Sequence, residues 1–210
     1  MPPEVEAVRR QYDRLANSYD RRWRAYVEVT LHAVVEGVGF AGHERVLDIA
    51  CGTGELERLL LARWPALRVA GTDLSLGMLR QASAKEESRH ASWVQAEAAR
   101  LPFPDDAFDC AICANSFHYF RSPRQALREA RRVLRPHGLF VLVDWCDDYL
   151  SCKLCALWLR LTDPAFCRTY TVRACRSLLE QSGLEVLHGD HFRVRPIWGM
   201  MRFVCRRPPG

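Results

Sequence analysis

Alternation between short apolar segments and helical segments is the feature of this sequence that most restricts its fold. Between residues 41 and 145 the apolar runs show little polar alternation, and helical periodicity follows most of them. Strands of this kind are buried on both faces, as in parallel sheets that helices cover on each side. We therefore predict a doubly wound α/β fold with strands at ERVLDIA, LRVAGTDLS, ASWVQAEA, FDCAICANSF and LFVLVDW.

The two ends of the chain add helices and two more strands. Residues 2–39 predict two helices that end at glycines, and residues 149–161 and 172–182 predict two others. LEVLHGDHF and IWGMMRFVC are predicted strands. Ser75 and Ser122 stand where helix N-caps are expected. Because no linker or repeat interrupts the pattern, we predict one domain over residues 1–210.

The composition is that of an ordinary soluble globular protein, with 49% apolar and 26% charged residues. No apolar run reaches the roughly 18 residues of a membrane span, and the first residues lack the apolar core of a secretory signal, so a cytoplasmic location is expected. The net charge of +5 is carried by 28 arginines and 2 lysines. This charge would suit nucleic acid or another anionic surface, but the arginines are scattered, and we expect no nucleic-acid partner.

Nine cysteines include two pairs with the C-x-x-C spacing of zinc ligands, Cys110/Cys113 and Cys152/Cys155. The first pair lies in a predicted strand, where residues three apart point to opposite faces. The second pair lies in a predicted helix. We therefore predict buried thiols that pack as small apolar side chains, without a bound metal and without disulfides.

The turn after the first predicted strand points to a small-molecule site. In VLDIACGTG, Asp48 ends the apolar run, and Gly52 and Gly54 precede a helix. Glycines let the backbone approach a ligand, and the helix N-terminus offers N–H groups to a carboxylate. A dinucleotide fingerprint needs a glycine where Glu57 stands, and the Gly-Lys-Ser/Thr of a Walker loop is missing. An acid beside such a turn suits an ammonium group next to a carboxylate, which is an amino acid head.

Two more acids end the next predicted strands. Asp73 comes about 20 residues after the glycines, where a carboxylate accepts hydrogen bonds from both hydroxyls of a ribose. Glu97 follows the third strand and could accept a bond from an adenine amine. Taken singly, Asp73 could be a helix cap, Asp48 the partner of an arginine and Glu97 a solvated turn residue. Together, amino acid, ribose and adenine in this order describe S-adenosylmethionine.

The chain resembles the class I S-adenosylmethionine-dependent methyltransferases, and within them the type 11 group that includes the ubiquinone/menaquinone C-methyltransferases. The resemblance rests on VLDIACGTG, GTDLS, AEAARLPF and FDCAICANSFHYFRSPRQALREARRVLRPHGLFVLVD, and it covers residues 8–145 well. It implies a Rossmann-like sheet of seven strands, order 3-2-1-4-5-7-6 with the last strand antiparallel, covered by helices on both faces. It also implies S-adenosylmethionine as cofactor and S-adenosylhomocysteine as product.

The resemblance also implies a division of the chain and a set of contacts. Residues 1–40 would form a helical lid, residues 41–145 the cofactor-binding core, and residues 146–210 the acceptor-specificity region. The methionine end, the ribose and the adenine would be bound, in turn, by Asp48 with Gly52, Asp73 with Leu74, and Glu97 with Ala98. Asn115 should lie by the methionine end. The implied cofactor-binding residues are Tyr19, Asp48, Ala50, Gly52, Gly54, Asp73, Leu74, Met78, Glu97, Ala98 and Asn115.

Tyr19 and His118 are the candidate catalytic residues. Tyr12 and Tyr19 share one helix face, which either packs on the core or, as the resemblance implies, closes over the cofactor so that Tyr19 reaches its carboxylate. His118 follows the fourth strand and is the best placed general base, if the acceptor needs one. Its alternative role is structural, bonded to a backbone carbonyl. Asp144 and Asp147 are weaker candidates.

The methyl acceptor is expected to be a small apolar or aromatic metabolite, with its nucleophilic atom left open. Aromatic residues are frequent in the last third of the chain: Trp145, Tyr149, Trp158, Phe166, Tyr170 and Trp198. The segment DYLSCKLCALWLRLTDPAFCRTYT is predicted to close an apolar pocket, with His118 and Tyr19 at its floor. The alternative is that this segment only covers the sheet.

Three other functions stay open from the sequence. A lipid or quinone-precursor methyltransferase at a membrane surface would suit the apolar helix 149–161. A protein that binds the cofactor without catalysis would carry the same motifs. A nucleic-acid methyltransferase is disfavoured, because ANSFHYF stands where enzymes acting on base amines have Asn/Asp/Ser-Pro-Pro-aromatic. The oligomeric state is not predicted.

Overall fold

A computed structural model describes residues 2–86, 88–163, 165–194 and 198–209. The helices are α1 (Pro3–Glu36), α2 (Glu55–Arg63), α3 (Leu76–Lys85), α4 (Pro123–Val133), α5 (Leu150–Thr162) and α6 (Val172–Gln181). The strands are β1 (Arg45–Ile49), β2 (Arg68–Asp73), β3 (Ala91–Gln95), β4 (Phe108–Ala114), β5 (Leu134–Trp145), β6 (Glu185–Val194) and β7 (Trp198–Arg206). A 3-10 turn spans Phe117–Tyr119.

All seven strands form one sheet of order β3-β2-β1-β4-β5-β7-β6. The first five strands run parallel to one another, and β7 runs antiparallel to both β5 and β6. This confirms the predicted fold class and strand order. Asp48 of β1 pairs with Gly71 of β2 and Ile112 of β4, so the carboxyl ends of these strands meet at one edge of the sheet.

Helices cover both faces of the sheet over two separate apolar clusters. Leu47 and Cys113 belong to the cluster beneath α4 and α6, whereas Val46 and Cys110 belong to the cluster beneath α1 and α2. Cys110 and Cys113 therefore lie on opposite faces, as the strand period predicted, and burial raises the pKa of both thiols. The absence of zinc stays a prediction.

The N-terminal region is one helix of 34 residues, so the prediction of two helices is wrong. Residues 4–36 contain neither glycine nor proline, and the polar stretch around Asn17 and Ser18 continues the helix. The Ser18 hydroxyl donates to the Leu15 carbonyl within it, at 3.2 Å. The helix ends only at Gly37.

The predicted caps are confirmed in position. Ser75 precedes α3, and its Oγ accepts a hydrogen bond from the Met78 N–H at 3.0 Å. Ser122 precedes α4 with Pro123 at the first helical position, but the Ser122 side chain makes no capping bond. α4 ends at Val133, earlier than the predicted Pro-His-Gly stop, because the chain enters β5 directly through a register shift opposite Phe108.

Across the described residues, no helix combines the length and apolarity needed to cross a bilayer.

Candidate active site

The turn between β1 and α2 holds three residues with positive φ. Ala50 has φ of 61°, Gly52 of 56° and Gly54 of 76°. Two hydrogen bonds to β2 fix the turn: the Cys51 N–H donates to the Thr72 carbonyl at 2.9 Å, and the Gly52 N–H donates to Asp73 Oδ2 at 3.0 Å. These bonds hold the backbone of the turn in place at the edge of the sheet. Ala50 is a non-glycine residue at positive φ, which indicates local backbone strain in this turn.

Asp48 and Glu57 place two buried carboxyl groups behind the turn. Both side chains are almost fully buried, and within the described part of the chain Asp48 Oδ1 and both Glu57 oxygens have no hydrogen-bond partner. Burial, with the nearby Asp73 charge, raises the pKa of Asp48 to about 8. Burial, with the Asp48 charge, also raises the pKa of Glu57 well above its ordinary value. Asp48 is also part of the lining of the cavity described below, and an unpaired buried carboxyl oxygen favours a cationic or hydrogen-donating partner.

Glu57 is a residue whose part in the site was missed from the sequence. It occupies the third glycine position of a dinucleotide fingerprint, and its side chain lies over Gly71 of β2. A Cβ built at Gly71 would lie 2.5 Å from Glu57 Oε1 and 2.7 Å from the Trp93 ring. The missing side chain at Gly71 therefore makes the space that Glu57 occupies.

Asp73 organises the end of β2. Its Oδ2 accepts from the Gly52 N–H, and its Oδ1 accepts from the Ser75 N–H at 2.8 Å. Burial raises the pKa of Asp73 to about 6, although these backbone donors oppose that shift. The carboxylate thus joins the turn to the start of α3, and each of its oxygens keeps a lone pair for a further donor.

One cavity, named here the turn cavity, brings the predicted cofactor residues together. Ten of the eleven line it: Tyr19, Asp48, Ala50, Gly52, Asp73, Leu74, Met78, Glu97, Ala98 and Asn115. Gly54 lies behind this lining. A Cβ at Gly54 would meet Ala82 and Trp93 at 2.8 Å, so this glycine lets the start of α2 pack against α3 and β3.

α1 closes over the turn cavity and is held by two of its acids. Asp13 Oδ1 accepts from the Ser75 hydroxyl at 2.6 Å and from the Gly77 N–H at 3.0 Å. Asp20, seven residues later on the same face, accepts from the Thr53 hydroxyl at 2.5 Å and forms an ion pair with Lys85 at 2.5 Å. Sequence reasoning missed both acids, although their spacing of seven was the available signal.

A second cavity, named here the aromatic cleft, lies between α1 and α5 and has a volume of about 920 Å³. Its aromatic lining is Tyr12, Tyr19, Trp23, Tyr26, His118, Tyr119, Trp145, Trp158 and Trp198. Trp145 stacks on Trp198 with ring centroids 4.7 Å apart, and on the His118 ring at 4.5 Å and 6°. Flat, stacked walls of this kind suit a planar or apolar molecule.

The turn cavity and the aromatic cleft share four residues, Tyr12, Tyr19, Asn115 and Tyr119. The Tyr12 ring lies 6.2 Å from the Tyr19 ring and 5.4 Å, edge to face, from the Tyr119 ring. We call these four residues the shared wall. Burial raises the pKa of the Tyr19 hydroxyl above its ordinary value, so at neutral pH this group donates hydrogen bonds and is a poor base.

The Asn115 side chain anchors α1 at the shared wall. Its Oδ1 accepts from the Tyr26 hydroxyl at 2.8 Å, and its Nδ2 donates to Thr30 Oγ1 at 2.7 Å. Tyr26 in turn accepts from Trp145 Nε1 at 2.5 Å. Asn115 lines the turn cavity, but its amide is engaged with α1. Tyr26 follows Tyr19 by seven residues, the same spacing that pointed to Tyr12.

His118 and Asp144 form a buried pair at the floor of the cleft. His118 Nδ1 of the ring lies 2.6 Å from Asp144 Oδ1, and the backbone N–H of His118 donates to Asp144 Oδ2 at 2.8 Å. The Trp145 N–H also donates to Oδ1 at 2.7 Å. The carboxylate therefore orients the ring and leaves Nε2 as the nitrogen for proton transfer. The alternative of a histidine bonded to a backbone carbonyl is not what the structure shows.

The remaining predicted residues divide between the cleft and the core. Trp145, Trp158 and Trp198 line the cleft, whereas Phe166 and Tyr170 are buried and Tyr149 packs beside the core. Asp147 lies outside both cavity linings and accepts a hydrogen bond from the Thr169 hydroxyl.

Comparisons with known proteins give one consistent result. The family model described as a methyltransferase domain, Methyltransf_11, matches residues 47–142. A demethylmenaquinone methyltransferase of Renibacterium salmoninarum is 32% identical over 205 residues, which cover 87% of this chain and 81% of that protein. A demethylmenaquinone methyltransferase of Thermotoga maritima is 34% identical over 146 residues, 64% of this chain and 60% of that protein. The chain spans about half the length of several curated relatives that it matches, from 47% to 60%.

The fold is also similar to solved structures. A chain of the complex between the Haloferax volcanii Trm112 methyltransferase activator and a methyltransferase superposes with a TM-score of 0.85. The match covers 94% of this chain and 98% of that one at 19% identity.

Proposed function

The chain belongs to the class I S-adenosylmethionine-dependent methyltransferases, and from this membership we propose that it transfers a methyl group from S-adenosylmethionine to a small, planar, largely apolar acceptor. The observation that carries the proposal is the shared wall, where the turn cavity meets the aromatic cleft. A donor in one cavity and an acceptor in the other would meet there. The turn cavity is the proposed cofactor site, and the aromatic cleft is the proposed acceptor site.

The residues of the turn cavity fit S-adenosylmethionine. The unpartnered Asp48 oxygen suits the ammonium group, and the open backbone at Gly52 lies beside it. Asp73 would accept from the ribose hydroxyls with the lone pairs that the turn leaves free. Glu97 and Ala98 would bind the adenine. When bound, the cofactor supplies a methyl group activated by a sulfonium.

The protein's own contribution is positioning and a base. α1 covers the turn cavity and excludes water, and alignment of two reactants lowers a barrier by about 7–11 kcal/mol. His118, oriented by Asp144, takes the proton of an acceptor that must lose one, such as a phenol or an activated carbon acid. Tyr19 positions the donor by a hydrogen bond. The cleft is built by α1, α5 and the ends of β5 and β7, which supports acceptor choice by residues 1–40 and 146–210.

A quinone-type ring is the acceptor class we favour. Two of the similar proteins are named demethylmenaquinone methyltransferases, and the stacked His118, Trp145 and Trp198 rings form a wall on which a flat ring would stack beside the base. The alternative function is a protein that binds the cofactor without catalysis, and in it the His118–Asp144 pair would have no catalytic role.

The test is methyl transfer from labelled S-adenosylmethionine to a panel of quinols and phenols. Label should pass to an aromatic acceptor, and His118→Gln should lower kcat by about 10²–10⁴-fold while calorimetric cofactor affinity holds. Trp158→Ala should raise the acceptor's KM, because Trp158 lines the cleft rim. Cofactor binding without any transfer across the panel would contradict turnover, and transfer only to RNA would contradict the acceptor class.

A further inference from the structure

The outer face of α5 exposes five large apolar side chains. Their exposed fractions are Leu150 73%, Leu154 61%, Leu157 58%, Trp158 62% and Leu161 81%. The spacings of four, three, one and three place all five on one side of the helix. We call this set the α5 stripe. Elsewhere in the described chain, exposed large apolar residues are single and lie on different elements: Val29, Leu76 and Leu187.

The opposite side of α5 already serves the fold. Cys152 and Ala156 are buried, the Gly199 N–H donates to Cys152 Sγ at 3.0 Å, and Cys155 and Leu159 line the aromatic cleft. The helix is thus apolar on both sides, which is the pattern of a helix that is covered. Single exposed leucines need no explanation, but a continuous apolar stripe marks an interaction surface.

The charged residues of α5 itself are both cations. Lys153 and Arg160, seven residues apart, lie on one flank of the helix, and Leu150–Thr162 contains no acidic residue. Across the cleft, α1 presents the exposed Arg14 and Arg22.

Acids also lie near this rim, and each accepts a hydrogen bond or pairs with a cation: Asp148, exposed before α5, accepts from the Val172 N–H at 2.8 Å. Glu6, in the cleft lining, pairs with Arg9 at 2.5 Å and Arg10 at 2.9 Å. Asp163, at the end of α5, accepts from the Ala165 N–H at 2.9 Å. The rim is therefore an apolar ridge with cations along the helix and Asp148 and Asp163 at its two ends.

We propose that the α5 stripe docks on an anionic lipid bilayer, with leucines and Trp158 in the interface and Lys153 and Arg160 on the headgroups. A helix with leucine and tryptophan on one face and basic flanks is suited to this surface. A second copy of the chain fits less well, because the charged residues of α5 itself, Lys153 and Arg160, are both cations and would repel those of a facing α5. The stripe borders the cleft, so a membrane-resident acceptor would enter directly; this last step rests on the proposed function.

Vesicle co-sedimentation tests the docking surface. The protein should bind phosphatidylcholine vesicles that contain phosphatidylglycerol, bind pure phosphatidylcholine weakly, and be released by high salt. Leu157→Glu with Leu161→Glu should abolish binding, and Lys153→Gln with Arg160→Gln should weaken it by on the order of tenfold. Leu187→Glu, at an exposed leucine of β6, is the matched control and should bind as the wild type does.

The same samples distinguish the alternatives. The stripe variants should keep the wild-type cofactor affinity and thermal midpoint, because neither Leu157 nor Leu161 lines the turn cavity or the aromatic cleft. Equal vesicle binding by wild type and stripe variants, or no binding by the wild type, overturns the proposal. A dimer in light scattering that the stripe variants break, without vesicle binding, assigns the stripe to a second copy and also overturns it. Methyl transfer to a water-soluble acceptor reports on the proposed function separately.

Discussion

At the scale of single residues, buried carboxyl groups decide how the turn cavity responds to its ligand. Asp48 lies at the end of β1 with an unpartnered oxygen, and Glu57 lies close to it over Gly71. Two neighbouring carboxyl groups away from water resist ionising together. A ligand that brings a positive charge relieves this repulsion, so ligand binding and proton release are coupled at this site.

Cofactor affinity should depend on pH through Asp48. Its pKa of about 8 means that the free protein holds a proton there at neutral pH, and an ammonium group favours the ionised form. Binding then releases the proton, so affinity should rise with pH by up to about tenfold per unit between roughly pH 6 and pH 7.5. Calorimetric titrations in buffers of different ionisation enthalpy measure the number of protons that cofactor binding releases.

Asp48→Asn should bind more weakly and with a flat pH dependence, whereas the exposed Asp105→Asn should keep the wild-type slope. A wild-type affinity that does not change with pH would be evidence against an ionised Asp48 in the complex.

Glu57 should make the unliganded fold less stable as pH rises. Because its folded pKa lies above its ordinary value of 4.5, the folded state binds the proton more tightly than the unfolded state. The free energy of unfolding is therefore largest below that ordinary value and falls above it, by at most about 1.4 kcal/mol per pH unit. Glu57→Gln removes this slope, so its stability relative to the wild type should increase with pH in denaturant titrations.

The exposed Glu185→Gln is the matched control for Glu57→Gln and should leave the slope in place. Parallel stability curves for Glu57→Gln and the wild type would mean that the Glu57 carboxyl keeps an ordinary pKa.

At the scale of elements, α1 is the part that sequence patterns described least well. Heptad spacing correctly grouped Tyr12 with Tyr19, but the acids and Tyr26 of the same helix were not seen as contacts. Their partners are Ser75, Thr53 and Asn115, 33 to 89 residues away along the chain. A periodic pattern identifies a helix face, but it does not say which distant loop that face meets.

Loosening α1 should weaken cofactor binding. Asp13→Ala removes acceptors for the Ser75 hydroxyl and the Gly77 N–H, a loss of about 1–3 kcal/mol from the docking of α1 on α3. Hydrogen exchange of the first half of α1 should speed up, and cofactor affinity should fall by a corresponding factor. Glu28→Ala, an exposed acid on the same helix, should change neither. Unchanged exchange in Asp13→Ala would mean that other contacts hold the lid.

At the scale of the whole molecule, the sheet was predictable, and so was a pocket beside residues 148–171 with His118 and Tyr19, but the rest of the cleft lining was not. Buried strands, glycines and caps are local signals, and a resemblance supplied the strand order that the structure has. The turn cavity follows from them because parallel strands end at one edge. The aromatic cleft joins Trp23 and Tyr26 of α1 to Trp145 and Trp198, which no local pattern connects. Phe166 and Tyr170 proved to be buried and Tyr149 to pack beside the core. In the sequence these three aromatic residues could not be distinguished from those that line the cleft.

A crystal structure with S-adenosylhomocysteine is the most direct test of the two-cavity account. We expect the product in the turn cavity, with its ammonium group at Asp48, its ribose at Asp73, and its sulfur facing the shared wall toward the aromatic cleft. Product bound elsewhere, or bound with its sulfur turned away from Tyr12, Tyr19 and Tyr119, would contradict methyl transfer between these two cavities.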